Sequence, residues 1–202
     1  MNTNVPWNYK IPKDLLVEII GSFHRVCKKT HDEAAAQIYR KDDGTYFVYY
    51  PGQDVSGATV KYADDQGMLD NRAESTLVLE LHSHNTMGAF WSGTDNKNEK
   101  EVGFYMVIGT LGSTNGSYLL RAKYNGIYVN FRACELFDMT EDEEREIFKA
   151  ENFTEGNPII DSCVRTYSAS YHGSYYKSYG YNYGDYDAFY GGSYSAYRGL
   201  YG

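Results

Sequence analysis

The chain has 202 residues, of which 42% are hydrophobic and 23% charged, and its formal net charge at pH 7 is −8. This length is typical of one domain with an appendage, and the apolar fraction is sufficient for a globular core. The negative charge argues against binding to nucleic acid or to anionic lipid. No apolar run approaches the roughly 20 residues that a membrane-spanning helix needs.

The cysteines indicate the compartment. Cys27, Cys134 and Cys163 lie far apart and form no CxxC pair. An odd, sparse set fits reduced thiols better than a disulfide framework. The N-terminal stretch MNTNVPWNYKIPKD also lacks the apolar core of a secretion signal. We therefore expect a cytoplasmic protein that binds neither nucleic acid nor membrane.

The first predicted element is an amphipathic helix. Pro12 suits a helix start, and apolar residues recur at helical spacing from Leu15 to Cys27. This pattern predicts a helix that ends near Thr30. A second helix is predicted from the capping box Thr140-Glu141-Asp142-Glu143 to about Glu151.

Strand candidates fill the region between these helices. Asp43-Gly44 and Asn125-Gly126 are hairpin-type turn signals between such runs. The order of helix, many strands and helix predicts a mixed α/β domain around one sheet. The predicted strands are 35–39, 45–50, 58–62, 76–82, 103–111, 117–124 and 126–134.

Residues 166–202 differ in composition from the rest of the chain. Tyr, Gly and Ser supply 25 of these 37 residues, and Leu200 is the only aliphatic one among Leu, Ile, Val and Met. Such a segment cannot bury enough aliphatic surface to offset its ordering entropy. We predict a disordered, low-complexity tail. It either has no role in catalysis or serves self-association or docking of tyrosines on a partner.

Two of the five histidines, His82 and His84, stand one residue apart at the end of a predicted strand. Alternate strand residues share a face, so the two rings would converge. Ser92 suits a helix N-cap, and Asp95 would project from that helix start on the same side. An HxH pair alone fits a polar network, but two imidazoles and a carboxylate predict one Zn²⁺ with a fourth position for water.

A zinc-bound water, whose pKa is roughly 7, needs a base that passes its proton to a leaving amine. Glu33 is the first candidate because it follows the first helix and leads through small residues into a strand. Two alternatives stay open. Glu18 lies one residue off the apolar stripe of the helix and is expected to be solvated. Glu80 shares a strand face with the histidines and is suited to orient one of them.

The segment from His82 to Asp95 resembles the JAMM motif of the MPN (JAB, Mov34/PAD-1) family of zinc metallopeptidases, E…H-[ST]-H-x7-S-x2-D. The resemblance implies that His82, His84 and Asp95 bind zinc. It implies Glu33 as general acid/base, because the glutamate of the family lies just past the first helix. It implies Ser92 as the donor to the oxyanion of the tetrahedral intermediate.

The family resemblance also implies a fold and a substrate. The fold is a curved mixed β-sheet flanked by helices, of the cytidine-deaminase-like kind, over residues 10–155. Family members cut peptide or isopeptide bonds, commonly after the C-terminal tail of ubiquitin or a ubiquitin-like protein. Many eukaryotic members have proline where this chain has Asn85, and the run HSHNTMGAFWSGTD, with aromatic residues just before the serine, is more similar to prokaryotic and mobile-element members. The short segment NKNEKE after Asp95 predicts an open groove, with the substrate tail beside a strand edge.

Two other functions are compatible with parts of this pattern. A non-catalytic MPN scaffold, which serves as a protein-interaction module, is the main alternative. A zinc deaminase would need H-x-E followed by P-C-x-x-C, and neither is present. The sequence does not specify the substrate, the linkage or the oligomeric state.

Overall fold

The computed structural model of the protein describes residues 10–99 and 101–166. Their strands are β1 (Ile11–Pro12), β2 (Ala35–Lys41), β3 (Tyr46–Tyr49), β4 (Gln53–Ser56), β5 (Thr59–Lys61), β6 (Ser75–Ser83), β7 (Gly103–Gly109), β8 (Ser117–Tyr124), β9 (Ile127–Phe131), β10 (Phe137–Asp138) and β11 (Val164–Thr166). Their helices are α1 (Lys13–Thr30), α2 (Gln66–Glu74), α3 (Gly93–Asn98), α4 (Ala133–Leu136), α5 (Glu141–Ile147) and α6 (Ile160–Cys163), with a 3-10 turn at Ala150–Asn152.

The main sheet is mixed and has six strands, in the order β3-β2-β6-β7-β8-β9. β6 and β7 are parallel, and all other neighbours in this sheet are antiparallel. The parallel pair requires a crossover, and α3 lies within that crossover. β11-β4-β5 and β1-β10 form two small additional sheets. The predicted mixed α/β fold, with helices flanking a mixed sheet, is confirmed.

The two faces of the main sheet differ. On one face, α1 packs its apolar stripe against strand residues such as Leu81, Met106 and Leu120, all of which are buried. The opposite face carries the side chains that alternate with them, among them His82. The main core therefore lies on the α1 side, while the other face carries polar residues together with the buried side chains of Val107 and Tyr105. The buried stripe of α1 is Leu16, Ile19, Ile20, Phe23, Val26 and Cys27.

Both predicted hairpins are present. β2 and β3 pair antiparallel across the turn that contains Gly44, whose φ is 91°. β8 and β9 pair antiparallel across Asn125 and Gly126, with φ values of 48° and 77°. In this second turn, Asn125 and Gly126 are both left-handed, as the type I′ hairpin turn requires. The helix predicted to end near Thr30 ends there, and His31 follows it with a left-handed φ of 58°.

Two sequence-based boundaries were wrong by three residues or more, and several elements were missed. The strand predicted to reach Cys134 ends at Phe131, because α4 begins after Arg132, whose N–H donates to the Glu135 carboxylate at 2.7 Å. The predicted helix to Glu151 ends at Ile147. β4 and α2 were missed because β4 is a short polar segment and α2 buries only Met68, so neither has a clear apolar period.

At the C-terminal end of the described residues, β11 pairs in parallel with β4. The tail predicted for 166–202 lies, after Thr166, outside the described residues, and it stays a prediction together with the domain limits 10–155. Within 10–99 and 101–166, no helix combines the length and the apolar character needed to cross a bilayer.

Candidate metal centre

The two histidines stand at the end of β6, in the interior of the main sheet. His82 lies opposite Ala35 of β2 and beside Val107 of β7. His84 follows the strand directly, and its N–H donates to the Ile108 carbonyl at 2.8 Å. Because β6 has hydrogen-bonded neighbours on both sides, the backbone that carries both rings is held on two flanks.

Asp95 reaches the same place from α3. Ser92 is the N-cap of this helix, and its Oγ accepts the Asp95 N–H at 3.1 Å. The Asp95 Oδ2 in turn accepts the Ser92 N–H at 2.6 Å, which completes a capping box. This pairing leaves Oδ1 of the carboxylate to face His82.

The ligand atoms of these three residues converge. Nε2 of His82 lies 3.2 Å from Nε2 of His84 and 3.3 Å from Oδ1 of Asp95. All three ligand atoms lie within 4.8 Å of one another. Two ligand atoms that each stand 2.0–2.1 Å from a tetrahedral zinc ion are roughly 3.3 Å apart. The donor set and the two shortest spacings therefore fit zinc.

The protein environment keeps both histidines in the neutral form that binds metal. Burial lowers the pKa of His82 to about 4; the charge on Asp95 opposes this shift, and His84 and Arg121 add to it. Burial also lowers the pKa of His84. The Nδ1 of His84 is buried without a hydrogen bond of normal geometry, although the nearby Gly88 backbone acts to raise the pKa of the ring.

Glu33 lies beside the histidines, between α1 and β2. Ser83 donates its N–H to the Ala34 carbonyl at 2.8 Å, so the β2–β6 register places Glu33 opposite His84. Opposite residues of an antiparallel pair project to the same face. Glu33 is only 4% exposed. Its burial, followed by the negative charge of Asp95, raises its pKa to about 8. The structure thus brings Glu33 to the same side of the sheet as the histidines.

The two rival glutamates have other partners. Glu18 lies on α1, is half-buried, and accepts hydrogen bonds from Tyr50 and Asn157. Glu80 does lie on the face of the histidines, but it accepts from the Tyr62 hydroxyl at 2.9 Å. No hydrogen bond between Glu80 and either histidine occurs among the described residues.

Asn85 has a structural role that could not be seen in the sequence. The sequence showed only that asparagine stands where many eukaryotic family members have proline. Its φ is 37°, a left-handed value that proline cannot adopt. Its side-chain amide donates to the Gly57 carbonyl at 2.6 Å, and its own carbonyl accepts the Leu111 N–H at 2.8 Å. Asn85, which follows His84 in the chain, therefore connects the β4–β5 hairpin to the segment after β7.

Arg121 is the second residue that sequence reasoning missed. It lies on β8, on the same face as His82, and its side chain is 6% exposed. Its guanidinium forms an ion pair with Glu99 at 2.7 Å and donates to the Asn96 side chain at 2.8 Å. The only sequence signal was an arginine within an otherwise apolar stretch of a predicted strand, YLLRA. Its partners are distant in sequence and could not be identified from that signal.

Comparison with known proteins identifies the family. The family model of prokaryotic homologs of the JAB domain matches residues 18–122, more than half of the chain. A solved relative, the solution structure of protein DSY2949 from Desulfitobacterium hafniense, has 13% sequence identity and a TM-score of 0.40; the match covers 61% of this chain and 89% of that one. No curated protein matches the chain. The chain belongs to the family of prokaryotic homologs of the JAB domain.

Proposed function

We propose that the protein is a zinc-dependent peptidase or isopeptidase. It binds one Zn²⁺ per chain and hydrolyses a peptide or isopeptide bond after the C-terminal tail of a ubiquitin-like protein, or of another protein with an extended C-terminal tail. The observation that carries the proposal is the convergence of His82, His84 and Asp95 at the spacing of tetrahedral zinc ligands, next to a buried glutamate.

His82, His84 and Asp95 would hold the zinc ion, which would supply a Lewis acid that activates a water molecule at neutral pH. Glu33 acts as the general base toward that water. Its position on the face of the histidines and its raised pKa suit a group that both accepts and returns a proton near neutral pH. A bound cation nearby favours the carboxylate form of Glu33.

Ser92 stabilises the negative charge that develops on the attacked carbonyl oxygen. Its Oγ already accepts the Asp95 N–H as the helix cap. Its own proton is therefore available to donate to an oxyanion. Ser92 stands at the start of α3, where the positive end of the helix also favours negative charge.

The proposed reaction balances without a further reactant. The water oxygen bonds to the carbonyl carbon, and Glu33 takes one proton from the water. The carbon–nitrogen bond then breaks, and Glu33 returns that proton to the departing amine. The products are a carboxyl terminus and a free amine.

The setting of the centre supports an extended protein substrate. The His84 ring contacts the Phe90 ring at 4.3 Å between centroids, and Phe90 is 47% exposed. Met87 and Leu119 are further exposed apolar residues of this region. A chain end that lies along the surface can reach such a site. We also propose a cytoplasmic location, in keeping with three free thiols, and tail-mediated self-association as the role of the predicted tail, 166–202.

The test is cleavage of fusions between candidate modifier proteins and a reporter, followed by intact mass. Zinc-loaded protein should cut directly after the modifier tail, and chelator should stop the reaction. Glu33→Gln should be folded, zinc-loaded and inactive. Turnover that persists in Glu33→Gln, or in zinc-free protein, would exclude the proposed mechanism.

A non-catalytic interaction module is the second candidate. The observation that favours it is that the three side chains interact directly with one another, since Nε2 of His82 lies 3.2 Å from Nε2 of His84 and 3.3 Å from Oδ1 of Asp95. Such a cluster can be a stable polar network in itself. Zinc-loaded protein that captures a modifier protein and leaves every fusion intact would favour this candidate.

A further inference from the structure

The helix that presents Asp95 has little to hold it in place by itself. α3 comprises six residues, Gly93–Asn98, and none of them is buried. An isolated helix of this length is not stable in water. Hydrophobic packing of α3 therefore does not explain why Asp95 stays at hydrogen-bonding range of His82.

Arg121 contacts both ends of this helix. Its guanidinium carbon lies 3.7 Å from the ring centroid of Trp91, which precedes the N-cap. Its Nη2 donates to Oδ1 of Asn96 at 2.8 Å and pairs with Oε2 of Glu99 at 2.7 Å, and its Nε donates to the same Glu99 oxygen at 2.9 Å. The guanidinium carbon also lies 4.0 Å from the ring centroid of Tyr128 of β9.

Arg121 itself lies on an interior strand of the main sheet. Arg121 pairs with Tyr105 of β7 on one side and with Asn130 of β9 on the other. Lys123, two residues along β8, contacts the Glu99 carbonyl. The sheet therefore holds α3 at two points, and the ion pair between Arg121 and Glu99 is buried, with 6% exposure of each side chain.

We propose that Arg121 is a positioning residue for the metal centre, and this inference rests on the proposed zinc site. Through Glu99, Asn96 and Trp91 it fixes the orientation of α3, and thereby keeps Oδ1 of Asp95 turned toward His82. A buried ion pair contributes little net stability compared with apolar packing, because both charges lose their hydration. The planar guanidinium of Arg121, which forms several hydrogen bonds in a fixed geometry, instead determines the orientation of its partners.

The test is zinc affinity of the full chain, measured by competition with a chromophoric chelator. Arg121→Met removes the charge and the planar set of N–H donors but keeps an aliphatic side chain. Arg121→Lys keeps the positive charge but loses the planar donor geometry. We expect Arg121→Met to weaken zinc binding by 10- to 100-fold, as loss of a ligand-orienting partner typically does, and Arg121→Lys to recover only part of it. The absorption of bound Co²⁺ should change with the altered ligand geometry.

Arg132 provides the matched control. It pairs with the buried carboxylate of Glu144 at 2.9 Å, and among the described residues neither side chain forms a hydrogen bond or ion pair with α3 or the histidines. Arg132→Met should lower the unfolding temperature and leave zinc affinity within 2-fold of wild type. An equal loss of zinc affinity in Arg132→Met and Arg121→Met would overturn the proposal, since general destabilisation would then explain both.

A milder pair of variants serves if Arg121→Met does not fold. Asn96 and Asn98 are both exposed residues of α3, and Asn96 accepts from Arg121, whereas no hydrogen bond to the Asn98 side chain occurs in the described residues. Asn96→Ala should weaken zinc binding more than Asn98→Ala. Equal affinities in these two variants would overturn the role of the Arg121 contacts.

The outcomes separate this inference from the proposed function. A wild-type protein that binds no zinc overturns both. Folded Arg121→Met with wild-type zinc affinity and an unchanged Co²⁺ spectrum overturns the positioning role alone. Weakened zinc binding in Arg121→Met, in a protein that cleaves no fusion, supports the positioning role while the peptidase function fails.

Discussion

Ser92 and Asp95 exchange hydrogen bonds in both directions: the Asp95 N–H donates to the Ser92 Oγ, and the Ser92 N–H donates to the Asp95 Oδ2. The same carboxylate places its second oxygen 3.3 Å from Nε2 of His82. The cap of α3 and the third ligand of the candidate metal centre are therefore one unit. A change at Ser92 affects the helix start, the orientation of Asp95 and the proposed oxyanion donor together.

Ser92→Ala should reduce turnover on a cleaved fusion by roughly 10²–10³-fold, because an oxyanion donor is lost, and should lower the free energy of unfolding by about 1 kcal/mol, because the cap is lost. Ser92→Thr, which keeps a hydroxyl, should retain most of both. Thr140→Ala is the control, since Thr140 caps α5 with the same reciprocal geometry. It should lose similar stability with no change in turnover; an equal fall in turnover would assign the effect of Ser92→Ala to folding.

Glu33→Gln should reduce turnover by about 10²–10⁴-fold, the usual contribution of a general base, and should retain one zinc per chain. Glu80→Gln and Glu18→Gln are the comparison variants, because their carboxylates accept hydrogen bonds from tyrosines rather than facing His84. Both should keep turnover near that of wild type. A larger loss in Glu80→Gln than in Glu33→Gln would move the base to Glu80.

The stability of the metal-free protein should depend on pH in two opposite ways. Glu33 has an ordinary pKa of 4.5 and a folded pKa of about 8, so its contribution is complete below pH 4.5 and is lost as the pH rises toward 8. His82 has an ordinary pKa of 6.5 and a folded pKa of about 4, so its contribution is present above pH 6.5 and is lost as the pH falls toward 4. Stability should therefore be greatest in the mildly acidic range between these limits.

Urea unfolding in the presence of chelator measures this profile, with a limiting slope of about 1.4 kcal/mol per pH unit for each group. Glu33→Gln should reduce the fall in the free energy of unfolding on the alkaline side of the profile. It should therefore make the metal-free protein more stable than wild type at pH 8. Zinc should flatten the same side in wild type, because a cation favours the carboxylate. An alkaline side that survives in Glu33→Gln would show that another group titrates there.

Asn85→Ala and Asn85→Gly should separate two contributions of this residue. Both variants lose the hydrogen bond to the carbonyl of Gly57, an exposed residue, at a cost of roughly 0.5–1.5 kcal/mol. Alanine must also adopt the left-handed φ of 37°, which costs a further 1–2 kcal/mol or so and which glycine avoids. Urea midpoints should rank wild type above Asn85→Gly and Asn85→Gly above Asn85→Ala. The reverse order of the two variants would contradict the backbone argument.

The local parts of the site could be predicted from the sequence. His82 and His84 converge because strand residues alternate, and the start of α3 at Ser92 and Asp95 follows from capping chemistry within four residues. Glu33 could be ranked first only by its place between the first helix and the first strand of the sheet and by the family resemblance, and the β2–β6 register shows which face of the sheet it shares. Short-range rules thus recovered the side chains that lie close together in the sequence.

The parts that were missed depend on distant partners. In the sequence, Arg121 looks like an ordinary strand residue. Only the folded structure brings it next to Glu99, which lies 22 positions earlier in the chain. α2 buries only Met68, so no apolar period marked it. Asn85 was recognised as unusual, but its role depends on Gly57, 28 residues away. Sequence patterns report local periodicity, whereas these positions are determined by tertiary contacts.

The most direct measurement of the central claim is the metal content of the purified full chain after removal of metal and titration with zinc. Wild type should take up one Zn²⁺ per chain with the ligands His82, His84 and Asp95, and His84→Ala and Asp95→Ala should lose that tight site while remaining folded. A folded wild-type protein that takes up no stoichiometric zinc, or binds it equally well in His84→Ala, would contradict the account.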